Sequence, residues 1–169
     1  GVKKILQKNI TKFFMNEDQI NRLPPDVKKQ FLKYALKLSE KKTKTKVHDD
    51  FMTFVKHVWP EFIEGRHHKE IAEKFNQIAR GEIKRLIINM PPRHTKSEFA
   101  SFLLPSWMVG RKPNLKIIQT THTTELAIRF GRKAKTLMDS QEYKQVFSTR
   151  LREDSQAAGK WETEQGGEY

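Results

Sequence analysis

Apolar positions recur along this chain with two different periods. Val27, Phe31, Tyr34, Ala35 and Leu38 follow Pro24-Pro25 at roughly helical intervals, which predicts a helix over 26–42. Lys41-Lys-Thr-Lys-Thr-Lys46 then interrupts the pattern and reads as a flexible basic linker. Phe51, Phe54, Val55, Val58 and Trp59 form a second helical set, with Asp49 or Asp50 placed to cap it and Pro60 to stop it. A third spans 66–80, with Ile71, Phe75, Ile78 and Ala79 on one face and Gly81 ending it.

Residues 84–90 break from that period. Their apolar run is too continuous for a half-exposed strand and suits a parallel strand covered on both faces. A helix is predicted over 97–109, kinked or broken at Pro105, which lies too deep for a first turn. Gly110 and Pro113 mark a turn, and 116–120 reads as a second strand. Residues 123–140 read as a long helix with Leu126, Ala127, Phe130, Ala134 and Leu137 inward. Arg129, Arg132 and Lys133 then fall on its wet face, with contact to DNA or to a neighbouring subunit as the alternative. Strand, loop, helix, strand, helix predicts parallel strands joined by a right-handed crossover. The expected fold is therefore α/β, with a basic helical extension at 1–47 and a second domain at 48–169. Trp161 to Gly167 reads as a strand and turn leading into further structure, so an unfinished domain is expected.

Composition adds a partner class. The 169 residues carry 33 Lys and Arg against 20 Asp and Glu, a formal charge of +13, which favours nucleic acid or another polyanion. Residues 1–47 hold thirteen of those cations and four of the acids. With no cysteine, neither a disulfide framework nor a thiolate zinc site is available. No apolar run approaches membrane-spanning length and no signal peptide is evident, so a soluble protein of a reducing compartment is expected.

The chemistry concentrates in Asn89-Met-Pro-Pro-Arg-His-Thr-Lys-Ser-Glu98, between the first predicted strand and the helix after it. A strand-to-helix loop ending in Lys-Ser is where phosphate is gripped. Backbone N–H groups at the helix start and the helix dipole attract the anion. The lysine reaches the β- and γ-phosphates and the serine hydroxyl reaches Mg²⁺. Lys96 and Ser97 take those places, and Arg93 is placed to clamp a γ-phosphate or to hold the loop. The strict pattern G-x-x-x-x-G-K-[ST] fails at both glycines, where Met90 and Thr95 stand, and a β-branched residue is a poor choice for positive φ. A basic turn with Lys96 in solvent is the alternative.

The same stretch resembles the deviant Walker A loop of the large terminase subunit of tailed bacteriophages. The likeness extends to Gly81-Glu-Ile-Lys-Arg-Leu-Ile-Ile, Pro105-Ser-Trp-Met-Val-Gly-Arg-Lys-Pro113, Arg129-Phe-Gly-Arg132, Glu142-Tyr-Lys-Gln-Val-Phe147 and Trp161-Glu-Thr-Glu-Gln-Gly-Gly167, covering about residues 60–169. The resemblance implies an incomplete P-loop NTPase of the RecA/ASCE-like kind, a parallel sheet flanked by helices. It implies a motor that hydrolyses ATP with Mg²⁺ to drive double-stranded viral DNA into a procapsid. That motor acts in the host cell cytoplasm as a homo-oligomeric ring on the portal protein, assisted by a small terminase subunit, with no membrane partner. Phosphate-gripping and catalytic roles carry over to Arg93 and Lys96. Ser97 would hold Mg²⁺ through the nucleotide, and Pro92, His94, Thr95 and Glu98 complete the loop. Arg66, His67 and His68 occupy the region where the family binds adenine, His67 stacking and His68 hydrogen-bonding. Adjacent histidines that cap a helix and face water are the alternative.

The family's Walker B carboxylates and its nuclease domain are expected beyond Gly167. Asp139 and Asp154 follow no apolar strand and Glu98 points along its helix, so binding without turnover is expected of this chain alone. An initial Gly in place of Met also suits a fragment. Two rival readings are another P-loop NTPase, such as a helicase, and a non-catalytic basic DNA-binding module.

Overall fold

Residues 20–157 and 159–169 are described in the computed structural model, so residues 1–19 of the N-terminal basic extension lie outside the described residues. The division into two units falls between Thr45 and Lys46. The helix α1 (Pro25–Asp49), whose residues up to Thr45 belong to the first unit, opens with Asp26 in its first turn. Residues 41–46, expected as a linker, are helical instead. Lysine is a fair helix former and no Gly or Pro interrupts the stretch. Thr45 Oγ1 turns back to donate to the Lys41 carbonyl at 3.0 Å, a bond a helix accommodates.

The second unit contains α2 (Phe51–Val58), α3 (Arg66–Arg80), α4 (Lys96–Glu98), a π-helical turn (Phe99–Leu103), α5 (Leu104–Arg111), α6 (Thr124–Asp139) and α7 (Gln141–Val146). An antiparallel pair, β1 (Leu151–Ala157) and β2 (Lys160–Thr163), follows, with a register shift between Leu151 and Gln156. Asp50 starts α2 by accepting from Thr53 N at 2.7 Å. Gly81 ends α3 in the left-handed conformation that a side chain would disfavour. The break expected at Pro105 lies just before it, as the π turn. Proline has no N–H to donate inside a helix, and the wider turn absorbs the missing bond.

One aromatic core holds this unit. The Phe51 ring meets Phe75 at 5.1 Å, Phe99 at 5.4 Å and Trp107 at 5.4 Å, each edge-on. Burying each of these large rings contributes roughly 2–3 kcal/mol. Tyr143 donates to the Ser106 carbonyl at 2.8 Å, and burial pushes its phenol far above its ordinary value. Gly110, expected in a turn, instead lies in α5, where an added Cβ would sit 2.7 Å from both Phe147 and Tyr143.

Residues 84–90 and 116–120, expected as parallel strands joined by a crossover, form no strand ladder among the described residues apart from an isolated bridge at residue 116. Side-chain exposure alternates along both: Leu86, Ile88 and Met90 lean on the core, while Ile87 is 86% exposed; Ile117 leans in, and Ile118 is 92% exposed. Among the described residues, no backbone–backbone bond joins 84–90 to another segment. Residue 116 makes one parallel bridge, to Glu168, with Ile117 N donating to the Glu168 carbonyl at 2.8 Å. A strand needs a neighbour to complete its ladder, and the outward edges of these two have none among the described residues. Among the described residues no helix is long and apolar enough to cross a membrane.

Candidate functional site

The loop before α4 is built around two strained residues. Arg93 and Thr95 have φ of 65° and 57°, the non-glycine residues with positive φ among those described. Turns that alternate across positive φ aim successive N–H groups into one concavity, a nest suited to anions. Thr95 stands at the cap position of α4 yet makes no side-chain cap bond. The first helical bond closes from Phe99 N to the Thr95 carbonyl at 2.9 Å, and the N–H groups of Lys96, Ser97 and Glu98 have no acceptor among the described residues. They head a helix that continues through the π turn to Arg111.

Lys96 folds back across the loop, its Nζ donating to the Met90 carbonyl at 3.0 Å. Pro92, Arg93 and Ser97 are exposed at the loop surface. His94 is exposed too, with Nδ1 2.9 Å from the Pro92 carbonyl. Glu98 is placed elsewhere: both its oxygens accept from Lys133 Nζ of α6, at 2.8 and 2.7 Å. Lys133, expected on the wet face, is therefore half-buried in an ion pair, while Arg129 and Arg132 stay exposed.

His68 is the residue whose place the sequence did not foretell. It is buried, wedged between Phe62 at 4.8 Å and Phe99 at 5.2 Å. Its Nδ1 accepts from Gly65 N at 2.9 Å, which puts its proton on Nε2. That Nε2 lies 2.6 Å from Thr95 Oγ1, which in turn donates to the His94 carbonyl at 2.6 Å. His67 Nε2 lies 2.9 Å from the same His68 nitrogen, and the His67 ring meets His94 at 5.6 Å. Burial, then the charges of His67 and His94, hold the His68 pKa below its ordinary value, against the opposing pull of Glu64. Both ring nitrogens being engaged, His68 has no free edge for a base. His67 instead borders a cleft of about 390 Å³ between α3 and residues 86–90. Arg66 is exposed and paired with Glu70 at 3.2 Å.

The apolar period of α3 pointed to Ile71, Phe75 and Ala79, which are buried, and to Ile78, which is half-buried, and passed over Asn76, buried beside them. Asn76 accepts from Phe51 N at 2.8 Å and donates to Asp50 Oδ1 at 2.8 Å, tying α3 to the start of α2. Among the described residues, no group of three or more His, Cys, Asp or Glu is arranged to hold a metal ion. The open N–H row, the nearby ammonium of Lys96 and the hydroxyl of Ser97 fit a phosphate group with its Mg²⁺. No protein-family model, curated protein or solved structure matches the chain.

Proposed function

We propose that residues 91–98 bind the phosphates of ATP, and that the chain is the ATP-binding part of a viral DNA-packaging motor of the large-terminase kind. The observation that carries this reading is the cap of α4. Thr95 is held in a left-handed conformation with its hydroxyl turned away, so three N–H groups stay open beside Lys96. An anion is the partner such a row accepts best.

In this reading, Lys96 exchanges the Met90 carbonyl for a phosphate oxygen, and Ser97 lends its hydroxyl to Mg²⁺. Bound Mg²⁺ would supply neutralising charge at the phosphoryl oxygens. Arg93, exposed at the loop tip, clamps the outermost phosphate. His67 is the residue left to meet the base, since His68 is engaged. Water activation needs a carboxylate positioned at the site, and Glu98 is occupied by Lys133. Binding without turnover is therefore the expectation for this chain, with hydrolysis and DNA cutting belonging to the whole motor.

Residues 84–90 and 116–120 are, in the same proposal, strands of an incomplete parallel sheet. Their alternating exposure, their unpaired outward edges and the parallel bridge of residue 116 support it. Double-stranded DNA, a portal ring, a small subunit and neighbouring copies of the chain are the partners proposed.

A titration with a fluorescent ATP analogue and Mg²⁺ tests the reading. Saturable binding by the chain that Lys96→Ala removes is expected, and indifference to Lys96→Ala would refute it. The charge of residues 1–47 favours a second reading, a basic DNA-binding module that ignores nucleotide. It predicts duplex binding that falls steeply with salt and is unchanged by ATP.

A further inference from the structure

We propose that His68 is a positioning residue that locks Thr95 in its left-handed conformation and so keeps the N–H row of α4 open. This rests on the phosphate-binding reading for its purpose but not for its geometry. A threonine at φ 57° is held against its preference, because a β-branched side chain crowds the backbone there. Such strain persists only where surrounding structure over-determines it.

The over-determination is visible. The Thr95 hydroxyl is fixed at both ends, accepting from His68 Nε2 and donating to the His94 carbonyl. His68 is itself fixed by the Gly65 N–H and by the two phenylalanine rings. A hydroxyl released from this clamp could rotate to accept from the first N–H groups of its own helix, as capping threonines do. That cap would occupy the donors an anion needs. His68 thus does for Thr95 what a glycine at this position would not require.

Rescue distinguishes this role from simple packing. His68→Phe keeps a ring between Phe62 and Phe99 and removes the contacts to Gly65 N, Thr95 Oγ1 and His67 Nε2; His68→Gln keeps a donor toward Thr95. Thr95→Gly removes both the strain and the competing hydroxyl. In the full chain, with the fluorescent ATP analogue and Mg²⁺, His68→Phe is expected to weaken binding about tenfold, the size of one lost positioning bond. In the Thr95→Gly background the same change is expected to weaken it less than about twofold. His68→Gln should recover most of the loss. An equal loss in both backgrounds would overturn the proposal. Should the unaltered chain bind no nucleotide, the phosphate reading fails, and the clamp is read from unfolding midpoints of the unaltered chain, His68→Phe, Thr95→Gly and the double variant. Coupling between the two positions then supports it, and additive shifts overturn it.

Discussion

Thr95 and Thr123 are the same residue at the same place in two helices, and they behave oppositely. Thr123 sits in extended backbone at φ −135° and accepts from Leu126 N at 3.3 Å. Asp50 and Ser140 start α2 and α7 in the same manner, accepting from Thr53 N and Tyr143 N. Thr95 alone of these four has φ positive and gives its hydroxyl to a neighbouring carbonyl. Three helix starts are sealed by their own sequence; the fourth is kept unsealed by a histidine from another helix. An ordinary cap serves stability, since it satisfies donors that would otherwise lack partners. Withholding it gives up that stabilisation and leaves the N–H groups of Lys96, Ser97 and Glu98 without an acceptor among the described residues.

The largest way to break this contrast is Lys96→Ala. Losing a charged partner should weaken the ATP analogue by about 2 kcal/mol or more, roughly thirtyfold, in a fluorescence titration. Unchanged affinity would put the open helix start down to chance. Next in size is Asp50→Ala, expected to lower stability by about 2 kcal/mol in urea unfolding, since Thr53 and Asn76 both lose a partner. Nucleotide affinity should not follow. The sharpest test pairs glycine substitutions at the two threonines. Thr95→Gly should raise stability by about 1 kcal/mol through relief of the positive φ, whereas Thr123→Gly should lower it by a few tenths. Equal signs would erase the distinction.

The smallest expected effect is a pH dependence. The folded pKa of His68 lies below its ordinary 6.5, so the unfolded chain takes up the proton first as pH falls. Its contribution is complete above pH 6.5 and is lost as pH drops through the lower folded value. Asp50 follows later. Burial raises its pKa, but hydrogen bonds from Thr53 and Asn76 and the charge of Lys56 outweigh that and hold it below 3.8. Its contribution is complete above 3.8 and is lost as pH falls through its own folded value. Thermal midpoints from pH 8 to 5 should therefore decline in the unaltered chain and stay flatter in His68→Phe.

What could be read from the sequence was what is local. The limits of α3 and its Gly81 terminator, the cap at Asp50 and the disturbance near Pro105 follow from residues within one or two turns. For residues 84–90 and 116–120 the sequence says less, for the opposite reason: pairing depends on a neighbour far along the chain, and a continuous apolar run does not say which face is covered. Residues 41–46 looked like a linker because charge suggests solvent, yet a solvated stretch of lysines can stay helical. Lys96 and Ser97 were singled out by position alone, after a strand-like run. The bond between His68 and Thr95 crosses 27 residues and left no local sign.

The π turn at Phe99–Leu103 gives this region a strict bookkeeping of chain length. An α-helix advances about 100° per residue, so one surplus residue in a turn swings everything upstream by about that angle. Deleting any single residue from this turn would regularise the helix and yet turn Lys96 and Ser97 away from the side they now face, with Trp107 still seated in the core. Substitutions could drift here as long as volume is kept, whereas a one-residue insertion or deletion could not. In this stretch, spacing is the inherited quantity.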